Sequence, residues 1–148
     1  MSTAAIFACS LVALTAYAMW RGGAPERLAA GAMALAALAT YATGLTNTFA
    51  FRQTEWQLAM IDIVLLVALT TLALVADRFW PMWLSALQAL AVISHVARAI
   101  DPHIAPGAYW WALGKISWPM LLVVGIGIFR HDRRLQAGFP EHAWSRTR

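Results

Sequence analysis

The stretch that decides the fold runs from Gln57 to Ala99, QLAMIDIVLLVALTTLALVADRFWPMWLSALQALAVISHVARA. Two apolar runs, 57–76 and 81–99, are joined only by Asp77, Arg78, Phe79 and Trp80. Each run is close to the length of about 20 residues that a helix needs to cross the hydrocarbon core of a bilayer. Pro81 suits the first turn of a helix, where its missing N–H costs nothing. So short a link makes the two helices adjacent, antiparallel neighbours. Inside these runs sit Asp62, Gln88 and His95, polar groups that lipid does not welcome.

Working outward, three more windows have the same character: 4–20, 28–46 and 108–129. The expectation is an all-α polytopic membrane protein, a bundle of five transmembrane helices filling residues 1–129. Residues 130–148 follow as a loose, basic cytoplasmic tail; the alternative is a docking segment with Phe139 and Trp144 as anchors. Composition agrees. Apolar residues make up 61% of the 148 and charged ones 12%, against about 45–50% and about 25% in ordinary soluble domains. The mean hydropathy is +0.62. A soluble enzyme, a disordered chain and a disulfide-stapled domain are all disfavoured, and the single cysteine, Cys9, permits no internal disulfide. No basic segment precedes the first apolar run, so it reads as a span rather than as a signal peptide.

Charge placement gives an orientation. With the tail in the cytoplasm, that side collects Arg21, Arg27, Arg78, Arg130, Arg133, Arg134, Arg146 and Arg148. The opposite side holds Arg52 and, at a span edge, Arg98. Positive residues favour the inside, which puts the N-terminus out and the C-terminus in. The net charge of +4 is then topogenic and calls for no nucleic acid. Tryptophans 20, 56, 80, 83, 110 and 111 fall near span ends, as an interfacial belt requires. Heavy use of alanine, with arginine preferred to lysine, has the flavour of a bacterial gene, so the expected location is the bacterial inner membrane.

The second run is crowded with alanine, glycine and threonine, residues that let helices approach closely in lipid. It is expected to be central, with neighbours on several sides. In the fifth run, Pro119 interrupts the hydrogen-bond ladder near mid-helix.

The candidate site is a polar cluster of Asp62, Gln88, His95, Arg98 and Lys115. At 1.5 Å of rise per residue, Asp62 stands about 22 Å above Asp77, while His95 and Lys115 stand about 21 Å above Pro81 and Phe129 respectively. Gln88, His95 and Arg98 share one stripe of their helix. Trp111 and Trp118 flank Lys115 on one face and, with Asn47, are candidate walls for a ligand; a tryptophan beside the ammonium suggests cation–π shielding. Such a cluster can also serve only as interhelical glue, because a paired charge in lipid is less costly than an unpaired one.

No catalytic motif, metal-ligand spacing or phosphate loop occurs. No metal and no cofactor is expected, although bound lipid is compatible with the chain. The expected function is an accessory or structural component of a membrane assembly, either a homo-oligomer or a partner of other membrane subunits. The alternative is proton-linked transport or permeation of a small solute through Asp62, His95 and Lys115, since histidine changes charge in the physiological range. An enzyme acting on lipid or quinone is a third reading that no motif supports.

Overall fold

The structure, a computed structural model, describes residues 3–46, 51–101, 103 and 106–138. Five helices follow one another: α1 (Thr3–Arg21), α2 (Ala24–Thr46), α3 (Phe51–Val75), α4 (Trp80–Ile100) and α5 (Pro106–Gln136). Among the described residues every regular element is helical. Four of the helices carry a stretch long and apolar enough to cross a membrane: Thr3–Arg21, Trp56–Val75, Trp80–Ile100 and Leu113–Gln136. Helix α2 has the length, but its apolar surface is largely alanine, interspersed with glycine and threonine.

The boundaries have local causes. Helix α1 stops at Gly22, whose N–H reaches back to the Ala18 carbonyl at 2.8 Å. A Cβ at Gly22 would lie 2.5 Å from that same carbonyl oxygen, so only glycine fits there. Pro81 occupies the first turn of α4, as its ring favours. At the other end Asp101, which precedes Pro102, is extended at φ −121° and ψ 95°. A residue before proline avoids the helical region, so α4 ends there. Helix α5 runs through the basic segment to Gln136, well past Phe129 where the apolar run ends. The end of the apolar run does not end the helix. The first breaker is Gly138, at φ 75°.

Each helix packs on its neighbours in sequence, and α5 returns to α1, which closes a ring; α2 also touches α5. The second helix thus has three neighbours. Its Ala29 and Ala30 are fully buried, joining Leu69 and Leu84 and the Val124 and Ile128 of α5 in the core. The outside is the reverse of a soluble protein. Leu35, Val64, Val67, Leu74, Ile93 and Leu122 are 59–77% exposed, while Glu26, Gln88, His95 and His131 are buried. An apolar surface of this extent would associate in water and is satisfied by lipid tails. The protein is a membrane protein by this distribution as much as by helix length.

One end of the bundle gathers the charged ends of the helices. Arg21 donates to Asp132 at 3.3 Å across α1 and α5, and Arg78 meets His131 at 3.4 Å. Beside them the Trp80 indole N–H donates to Glu26 Oε1 at 3.2 Å. Gly127 supports that contact, because a Cβ there would stand 3.0 Å from the Trp80 ring. The ring cannot retreat without losing Glu26. Gly127→Leu is therefore expected to cost about 1–3 kcal/mol by overpacking, read as a lower melting temperature in detergent. Gly125→Ala is the control: its Cβ would meet only Leu14, at an ordinary 3.6 Å, and the melting temperature should hold.

Candidate functional site

Gln88 and His95 are two heptad-spaced turns of α4 on the stripe that faces α3, and both are buried. Opposite them α3 supplies Asp62. Its Oδ2 lies 2.7 Å from His95 Nε2, and its Oδ1 accepts from the Gln88 amide at 2.9 Å. The same amide nitrogen reaches the Asp62 backbone carbonyl at 3.1 Å. One carboxylate thus ties two residues of the facing helix. An ionised carboxylate only accepts, so His95 Nε2 carries the hydrogen in that state. At 2.7 Å the contact is as short as charge-assisted hydrogen bonds generally are.

Burial is uneven. The His95 side chain is 6% exposed and that of Asp62 26%. The exposed part of Asp62 opens into a groove of about 900 Å³ between α1 and α2, which Gln88 also lines. Its walls are mostly small or apolar: Ala8, Leu11, Met33 and Ala37 among them, with Thr15 and Ser117 as further polar points. The small face of α2 therefore divides its work. Ala29 and Ala30 are packed, whereas Ala34, Ala36 and Ala37 line the groove. The sequence shows the small residues, but not which of them end at a seam and which at an opening.

Lys115, Trp111 and Trp118 are placed elsewhere. Lys115 is exposed, with its ammonium 5.8 Å from the centre of the Trp111 ring, itself 67% exposed. The expected cation–π contact is present, but on the outer surface; among the described residues no ion pair joins Lys115 to Asp62. Trp118 packs edge-on against Phe7, ring centres 5.7 Å apart, and fastens α5 to α1. Neither tryptophan lines the groove. Arg98 lies in the last turn of α4, where a cation complements the helix dipole. Asn47 lies outside the described residues. Among the described residues no group of three or more His, Cys, Asp or Glu is placed to hold a metal ion. The position of Lys115 has a direct consequence: Lys115→Gln should change stability by less than about 1 kcal/mol, the scale of an exposed cation–π contact. A detergent melt that fell as far as an Asp62 variant would place the ammonium inside the cluster after all.

These features define a class, a helical membrane protein with a carboxylate–imidazole–amide cluster between two helices and an apolar groove against it. No protein family, curated protein or solved structure matches the chain.

Proposed function

We propose that the chain is a five-span bundle of the bacterial inner membrane, N-terminus out and C-terminus in, serving as an accessory or structural component of a larger membrane assembly. The groove of about 900 Å³ at Asp62 carries this reading. Alanine walls let a further helix come close, where dispersion drives association in lipid. On its wall, Asp62 offers a partly exposed carboxylate to a hydrogen-bond donor on that helix. The 23-residue length of α2, which lies between α1, α3 and α5, supports the fifth span. The collection of Arg21, Arg78 and the basic end of α5 at one end of the bundle supports the orientation. The test is extraction in a mild detergent followed by mass measurement and identification of what co-elutes. A second copy or another membrane chain at defined stoichiometry is the expected result. A lone monomer across several mild detergents contradicts the proposal.

A second reading is favoured by the 2.7 Å contact of His95 with a carboxylate that reaches the groove. In it the pair exchanges protons with a small solute in the groove, and Lys115 takes no part. Proton and solute flux in liposomes, with Asp62→Asn and His95→Ala, decides it. Flux abolished by either substitution supports transport; absent flux in the parent, or unchanged flux in both variants, excludes it.

A further inference from the structure

At the charged end of the bundle a cavity of about 270 Å³ is lined by Glu26, Arg78, Trp83, Arg130, His131 and Arg134. Three arginines from two distant segments, the α3–α4 link and the end of α5, thus line one cavity. Arg130 and Arg134 also sit four residues apart on one helix, a spacing at which like charges repel. Two side-chain atoms of this lining are buried with no hydrogen-bond partner in the protein: Glu26 Oε2 and the Nε of Arg78 itself. Glu26 as a whole is only 1% exposed, and its other oxygen is held by Trp80. The cavity therefore presents strong donors for an anion and, beside them, one acceptor that needs a donor. Glu26 argues against a bare anion, because a carboxylate next to a phosphate would repel it unless a donor group lay between.

We propose that this cavity binds the headgroup of a membrane phospholipid in which the phosphate is linked to a hydrogen-bond donor, the ammonium of ethanolamine or a glycerol hydroxyl. The phosphate oxygens take the fork-shaped donors of Arg78, Arg130 and Arg134, which match them bidentately. The ammonium or hydroxyl reaches Glu26. Position agrees with chemistry. The cavity lies beside Trp80 and Trp83, where the apolar run of α5 gives way to its basic end, and basic pockets between helices hold lipid headgroups. Its size suits a phosphate with a small substituent, the acyl chains running down the exposed apolar flank by Phe79 and Ile126.

The test uses the full chain in detergent micelles, titrated with dihexanoyl phosphatidylethanolamine, phosphatidylglycerol and phosphatidylcholine and with inorganic phosphate, bound species being counted by native mass spectrometry. The ethanolamine and glycerol lipids should bind at least about tenfold more tightly than the choline lipid, whose methylated nitrogen donates nothing. The double variant Arg130→Gln, Arg134→Gln should lose at least about tenfold in affinity. Both residues are exposed, so the helix signal in circular dichroism should be unchanged. Equal binding of the choline lipid, or undiminished binding by the double variant, overturns the proposal. Displacement of the lipids by an equal concentration of inorganic phosphate would assign the cavity to the free anion and overturn the lipid assignment.

Discussion

Asp62→Ala is expected to weaken the bundle by about 2–3 kcal/mol, the largest polar effect in the molecule. The substitution removes the carboxylate that meets the His95 ring N–H and one of the two acceptors of the Gln88 amide, which keeps only the Asp62 backbone carbonyl. A buried donor left without a partner costs about 1–3 kcal/mol. In membranes the average interhelical polar contact is weaker, about 0.6 kcal/mol, because separated helices find other partners. Here one carboxylate meets two buried side chains of the facing helix, which places the effect above the average. Asp62→Asn should cost less, about 1 kcal/mol on the same scale, since its carbonyl still accepts from Gln88 and its amide can face His95. Reversible unfolding in mixed detergent–SDS micelles gives both values. A loss below about 0.6 kcal/mol for Asp62→Ala would make the cluster ordinary glue.

Leu84→Ala is expected to cost about 2–3 kcal/mol, at the lower end of the 2–5 kcal/mol range for such truncations. Leu84 is 0% exposed, on the α4 stripe that also carries Gln88. In water the loss would include a transfer term. Between lipid-solvated helices that term nearly vanishes, because lipid tails are as apolar as leucine. What remains is the cavity and its missing dispersion contacts. Leu74→Ala provides the contrast. Leu74 is 77% exposed on the outer face of α3, so the same chemical change there should cost less than about 0.5 kcal/mol. Equal losses at the two positions would mean that Leu84 does not sit in the packed interior.

The comparison of Asp62, His95 and Lys115 shows how far sequence carries such a molecule. The four-residue link with Pro81 behind it starts two helices from a common level. Equal rise along antiparallel helices then brings Asp62 opposite His95, and heptad spacing adds Gln88. Lys115 satisfies the same height arithmetic and still lies outside. Rise per residue specifies a level but no direction around the axis. Trp118, expected as a ligand wall, packs edge-on against Phe7. The end of α5 is hidden differently: the apolar run ends at Phe129, whereas the helix continues to Gln136. Glu26, Arg78 and His131 give no signal together, because each belongs to a charged segment that orientation alone explains. Only the closed ring of helices brings them to one cavity.

A double-mutant cycle between Asp62 and His95, built from Asp62→Ala, His95→Ala and the pair and followed by unfolding in mixed micelles, tests the buried cluster most directly. The 2.7 Å contact predicts a coupling of about 1 kcal/mol or more, with the double variant well short of the sum of the singles. Additivity within about 0.3 kcal/mol would mean that carboxylate and imidazole do not meet, and would contradict the account.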